Sequence, residues 1–156
     1  MVYTDPESRA LNALRSFVRA ISAATRSANR TGVSGAQLFA LRQIALSPGL
    51  SMKQLAGLAL SKQSTVSELV ARMARKDLIT KTINESDARQ TNLWLTERGK
   101  RAISDSRATA QEQLIRGLSH LPPETRTQIA EGLEAWLTAS GFSDVAPGMF
   151  FEGESK

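Results

Sequence analysis

Ser61-Lys62-Gln63-Ser64-Thr65-Val66-Ser67-Glu68-Leu69-Val70-Ala71-Arg72-Met73-Ala74-Arg75-Lys76 carries the pattern from which the architecture of the chain can be inferred. Wound as a helix, it puts Val66, Leu69, Val70 and Met73 at i, i+3, i+4 and i+7, one apolar stripe that must be buried. The other face carries Gln63, Ser64, Ser67, Ala71 and Arg72, with Lys62 at the start. These side chains are short or hydrogen-bonding, unlike the Glu/Lys coat of an ordinary solvated face. A helix that brings its backbone close to base edges, with arginines further along to meet phosphates, suits the DNA major groove. A serine-rich surface helix with no such task shows the same pattern, so the flanking sequence has to decide.

Just upstream, Ser51-Met52-Lys53-Gln54 has the S-x-x-Q form of a capping box and opens a short helix through Leu55, Ala56, Leu58 and Ala59. Ser34-Gly35-Ala36-Gln37 repeats the signal before Leu38, Phe39, Leu41, Ile44 and Ala45, and Ser47-Pro48-Gly49 stops that helix. Two helices so close together, the first short and the second polar at its N-terminus, predict a helix-turn-helix. Asp77 stands where the second should end in a left-handed residue. Leu78 to Ile83 is rich in β-branched residues and predicts a strand. Asn84 to Gln90 is a polar loop, and Thr91 to Leu95 a second strand. A helix-turn-helix followed by strand, loop and strand is a winged helix, here over residues 34–95.

Outside this lobe, Asp5-Pro6-Glu7 starts a helix expected from about Pro6 to Ala28, carrying Leu11, Leu14, Phe17, Val18 and Ile21 on one side. Asn29 to Gly32 ends it. Thr96 caps one long helix through Ile103, Ala110, Leu114, Ile115 and Leu118 to about His120. Pro122-Pro123-Glu124 opens a last helix with Ile129, Leu133, Trp136 and Leu137 on its stripe, closing at Gly141. A core of about 60 residues is too small to bury terminal helices of this length and apolarity, so a second copy is expected to cover them. Leu11, Leu14, Phe17, Trp136 and Leu137 are the candidate interface residues, with packing inside the chain the alternative for some. The expected fold is mainly α (α+β): one domain over 1–156, a winged helix-turn-helix lobe, dimerisation helices at 6–28 and 96–140, and a tail at 142–156 with no assignable structure.

The 156 residues contain no cysteine and one histidine, which excludes disulfides and cysteine nucleophiles and argues against a transition-metal site; no cofactor is expected. No apolar run reaches the ~18 residues of a membrane span. The first residues lack the basic start and apolar core of a secretory signal, so a cytoplasmic protein is expected. The net charge of +5 favours an anionic partner without specifying which. With no phosphate loop and no nucleophile–histidine arrangement, the chain does not read as an enzyme.

With the wing in place, the chain resembles the MarR (multiple antibiotic resistance regulator) family over roughly residues 7 to 140. The resemblance is carried by Asp87-Ala88-Arg89 (D-x-R), by Leu93-Trp94-Leu95-Thr96-Glu97-Arg98-Gly99 (L-x-L-T-x-x-G), and upstream by Leu55-Ala56, Gln63 to Ser67 and Leu69 to Met73. Ala59-Leu60 replaces the glycine many relatives have in the helix-turn-helix turn, Asp77 stands where glycine is common, and Ala88 where a second arginine is frequent. The resemblance implies a homodimer held by its first and last helices. It also implies repression relieved by a small aromatic or phenolic anion bound between those helices and the DNA-binding lobe.

On this reading the partners are double-stranded DNA with a pseudo-palindromic operator, a second copy of the chain, and a small aromatic anion; no membrane is involved. Gln63, Ser64, Thr65 and Ser67 would approach base edges. Lys62, Arg72 and Arg75 would meet phosphates. Arg89 would enter the minor groove or clamp its phosphates, with Asp87 fixing the loop; a purely structural Asp87–Arg89 pair is the plainer alternative. Arg15 and Arg19 could face a ligand carboxylate but suit solvent better, and His120 suits a helix cap better than a sensor. The rival function is a winged-helix protein-interaction module that does not read DNA sequence. Lys62, Arg72, Arg75, Lys81 and Arg89 weigh against it.

Overall fold

Both predicted capping boxes form, and each opens a helix. In a computed structural model that describes residues 5–28, 32–87, 89–104, 106, 108–145 and 148, Ser34 Oγ accepts the Gln37 N–H and Gln37 Oε1 accepts the Ser34 N–H. Ser51 and Gln54 repeat the exchange. The order is α1 (Pro6–Ala28), α2 (Gly35–Leu46), β1 (Leu50–Ser51), α3 (Met52–Leu58), α4 (Gln63–Arg75), β2 (Ile79–Ile83), β3 (Thr91–Leu95), α5 (Glu97–Ser104), α6 (Ala110–Ser119) and α7 (Pro123–Ala139). The result is a winged helix-turn-helix with long helices before and after it.

The sheet is antiparallel in the order β1-β3-β2, with Leu50 opposite Leu93 and Lys81 opposite Leu93 on the other side. Two residues are too few for a period-2 pattern, so β1 does not appear in the sequence reading. The core gathers Leu38, Leu41 and Ile44 of α2, Leu55 of α3, the whole Val66/Leu69/Val70/Met73 stripe of α4, Leu78, and Leu93 of β3. Each fully buried Val or Leu contributes about 1.5–3 kcal/mol relative to exposure, so this stripe is the principal anchor of α4.

Backbone geometry closes α3 just ahead of that helix and then closes α4 itself. Leu60 (φ 50°) and Asp77 (φ 54°) are the non-glycine residues in the left-handed region among those described. After α3, the Leu60 N–H bonds Gly57 O and the Ser61 N–H bonds Ala56 O. After α4, the Asp77 N–H bonds Ala74 O and the Leu78 N–H bonds Met73 O. Both are the paired 6→1 and 5→2 bonds of a Schellman motif. The turn that lacks glycine therefore closes in the usual way, with Leu60 in a conformation costing roughly 1–2 kcal/mol.

The L-T-x-x-G segment has a packing reason. Thr96 Oγ1 accepts the Gly99 N–H and donates to the Asp77 carbonyl, 2.7 Å away, so one hydroxyl caps α5 and ties it to the end of α4. Gly99 lies against the Leu78 carbonyl oxygen with no room for a Cβ.

The long helix expected from Thr96 to His120 is two helices. α5 stops at Ser104 and α6 starts at Ala110, with Thr109 forming a third capping box with Glu112. Arg42 of α2 holds the junction: Nη1 bonds Glu112 Oε2 at 2.7 Å, and Nη2 bonds the Ser106 hydroxyl at 2.8 Å and its backbone carbonyl. Hydrogen bonds from α2 and from the cap thus replace those that a continuous helix would have made. The Thr109-x-x-Glu112 signature was in the sequence but was masked by the apolar spacing across it.

Beyond the lobe, α1 exposes Leu11, Leu14, Phe17 and Val18, and α7 buries none of its residues. Asn29 to Thr31, Ala88 and the aromatic tail at Met149-Phe150-Phe151 lie outside the described residues. No described helix is long and apolar enough to cross a membrane.

Candidate nucleic-acid interface

The first turn of α4 begins at Gln63, just beyond the start expected at Ser61 or Lys62, with Lys62 at the N-cap and no side-chain cap. Lysine has no acceptor to satisfy the first amides of a helix, and such amides suit a phosphate oxygen. Lys62, Gln63, Ser64 and Ser67 are exposed around this turn, while Thr65 is half-buried. The residues expected to approach base edges are thus together on one turn, with Thr65 at its inner margin.

The expected phosphate contacts divide. Arg75 is exposed at the C-terminal end of α4. Arg72 is half-buried with its Nη2 removed from solvent, so part of its guanidinium is committed to the protein. Helical spacing accounts for this: Arg72 falls beside Thr65 on the flank of the helix, nearer to the buried stripe than Arg75.

In the wing, Asp87 organises the loop through hydrogen bonds. Its Oδ1 accepts the Arg89 backbone N–H at 3.0 Å and its Oδ2 accepts the Gln90 side-chain amide at 3.0 Å. Asn84 Oδ1 accepts the N–H groups of Ser86 and Asp87. These contacts, the Gln90 amide first and then the Arg89 N–H, hold the Asp87 carboxyl below its usual range. No Asp87–Arg89 ion pair forms among the described residues; the aspartate orders the backbone and the Arg89 side chain is exposed. At the base of the wing, Trp94 Nε1 donates to Thr82 Oγ1 at 2.9 Å, and the indole packs on Gly49, whose φ of 82° suits glycine.

One contact reaches the helix-turn-helix from outside. Gln111 of α6 is buried and its Nε2 donates to the Ala59 carbonyl in the turn between α3 and α4 at 3.0 Å. A lone glutamine 52 residues away in sequence gives no local pattern to detect. Glu68 is exposed on α4 as well.

The expected interface residues Leu11, Leu14, Phe17 and Leu137 are exposed in the single chain and Trp136 is half-buried. Arg15 is exposed and donates to Asn12; His120 is the C-cap of α6. Among the described residues no cluster of histidine and carboxylates could hold a metal.

A MarR-family model matches residues 31–90, from before α2 to the end of the wing loop. The HTH-type transcriptional repressor MdtR of Bacillus subtilis (strain 168) is 32% identical over 104 residues, 67% of this chain and 67% of its own. The transcriptional regulator HosA of Escherichia coli is 31% identical over 68 residues, 44% of this chain and half of its own. Among solved structures, the YusO protein of Bacillus subtilis is 27% identical at a TM-score of 0.54, covering 90% of this chain and 96% of that one. The S. aureus MepR–DNA complex has the same fold at a TM-score of 0.58 and 20% identity, covering 87% of this chain and 99% of that one. Taken with the winged lobe and its D-x-R and L-T-x-x-G segments, these likenesses establish that the chain belongs to the MarR family of transcriptional regulators.

Proposed function

We propose that two copies of this chain bind a pseudo-palindromic DNA operator, each placing the first turn of α4 in the major groove and its wing at the adjacent minor groove. The observation that carries this is the polarity of α4: four fully buried residues fix one side, while Lys62, Gln63, Ser64, Ser67 and Arg75 are exposed on the rest. Gln63 can bond an adenine bidentately, and Ser64, Thr65 and Ser67 adapt to several bases. Lys62, Arg75 and the outer part of Arg72 meet phosphates, and Asp87 sets the loop from which Arg89 reaches DNA. The MepR–DNA complex shows a protein of this fold on DNA. The exposed basic residues favour this reading over a protein-docking winged helix, and the protein acts in the cytoplasm without catalytic turnover.

The dimer follows from α1 and α7. α7 has no fully buried residue, and exposed Leu133 and Leu137 with Leu11, Leu14 and Phe17 of α1 give a second copy an apolar surface to cover. Two-fold symmetry then sets the recognition helices about one DNA turn, roughly 34 Å, apart. Likeness to the repressor MdtR supports repression. Release by a small aromatic or phenolic anion requires that the ligand prefer the spacing of lobes that does not fit DNA.

The test is a selection of duplex fragments by the purified protein, followed by gel-shift titration against salt and aromatic acids. An enriched inverted repeat, bound steeply less tightly from 50 to 200 mM salt, is expected. No enrichment with a flat salt response would refute the DNA-reading assignment.

A further inference from the structure

Glu68 is the only acidic residue of α4, and its position makes it unlike an incidental surface charge. At about 100° per residue, Ser64, Glu68, Ala71 and Arg75 fall within about 30° of the line opposite the buried Val66/Leu69/Val70/Met73 stripe. Glu68 is exposed there, between an exposed serine one turn before it and an exposed arginine two turns after it. The cation at intrahelical pairing distance in sequence, Arg72, is half-buried with its Nη2 inside the protein, and the Glu68 carboxylate makes no ion pair among the described residues.

A carboxylate in the middle of a face that approaches DNA is repelled by the phosphates on both walls of the groove. A donor on the groove floor that meets it offsets that repulsion. The major groove offers two such donors, cytosine N4 and adenine N6. Adenine N6 stands beside N7, an acceptor that repels a carboxylate, whereas cytosine presents its amino group without a neighbouring acceptor of its own. Guanine O6 and N7 and thymine O4 are acceptors and oppose it. We propose that Glu68 is a specificity-determining residue that accepts a hydrogen bond from N4 of one cytosine in each half-site. This rests on α4 being the major-groove helix, and it assigns a base where the serines of that helix do not.

The experiment is selection from a randomised duplex library by the wild-type protein, E68A and E68Q, followed by anisotropy titration of each selected site with every base at the assigned position. Wild type is expected to select a cytosine and to lose about five- to tenfold in affinity when it is replaced. E68A is expected to keep the rest of the motif but lose discrimination there, and to bind random DNA more tightly, since a repelled charge is gone. E68Q is expected to move the preference to adenine, which an amide bonds bidentately. An E68A motif identical to wild type, or a loss of discrimination at a base other than cytosine, would overturn the assignment and leave the α4 reading intact. A wild-type protein that enriches no motif would overturn the α4 reading itself.

Discussion

Replacing Arg75 or Arg89 with alanine should flatten the salt dependence of DNA binding by a predictable amount. Both side chains are exposed, Arg75 at the end of α4 and Arg89 on a wing loop whose backbone Asp87 holds, so each can be removed without disturbing the core. A cation that neutralises one phosphate contributes ~0.9 to the slope of log K against log salt, and a two-fold dimer presents it twice. Each single variant should therefore make the slope shallower by about 1.8, and the double variant by about 3.6. Between 50 and 200 mM salt, four such contacts account for roughly 150-fold of the affinity lost by wild type, which the double variant should no longer lose. The control is Arg126→Ala, an exposed cation of α7 outside the reading lobe. The assay is anisotropy of a labelled operator fragment at five salt concentrations. Equal slopes for the double variant and wild type would refute the placement of these arginines on phosphates, and an equal effect of Arg126→Ala would reduce it to net charge.

Three further outcomes follow from the packing. Leu14→Asp with Leu137→Asp should convert the dimer to monomer in sedimentation velocity while the lobe stays folded, because both residues are exposed in the single chain; an unchanged dimer would disprove the α1–α7 interface. Gly99→Ala should cost about 2 kcal/mol through overpacking against the Leu78 carbonyl, lowering Tm by about 4–8 °C; an unshifted melt would contradict that contact. The order that Asp87 gives the wing should be complete above the ordinary carboxylate range and lost as pH falls through its depressed folded value, seen as faster exchange of the Arg89 amide; a wing equally protected at low pH would exclude this role.

The parts legible in the sequence were those governed by local chemistry. The Ser34–Gln37 and Ser51–Gln54 boxes, the left-handed Asp77 and the Thr96 cap each use side chains within a few residues, and each forms as its pattern implies. The α4 stripe was legible because burial imposes a period. Other features depend on distant partners and left no local mark: the two-residue β1, which exists through β3, the Gln111–Ala59 bond, and Arg42 bridging to Ser106 and Glu112. Arg72 is a different case: its helical spacing from Thr65 puts it on the flank of α4, a local mark the sequence did carry, but its charge suggested a phosphate contact instead. Leu60 runs against backbone preference, so no propensity argument would have put it in the left-handed region.

The way α4 is held has an evolutionary consequence. The turn before it is closed by Leu60, its C-terminal end by Asp77, and its rotation is fixed by four buried residues, none of which is among the exposed residues proposed to meet DNA. Substitutions at Gln63, Ser64, Ser67 or Glu68 can therefore alter what the helix prefers to bind while its position and the stability of the lobe change little. A duplicated copy of such a protein could drift to a new operator through single substitutions, each intermediate still folded. On the proposed reading, stability and preference occupy separate residues of one helix, and selection can act on either alone.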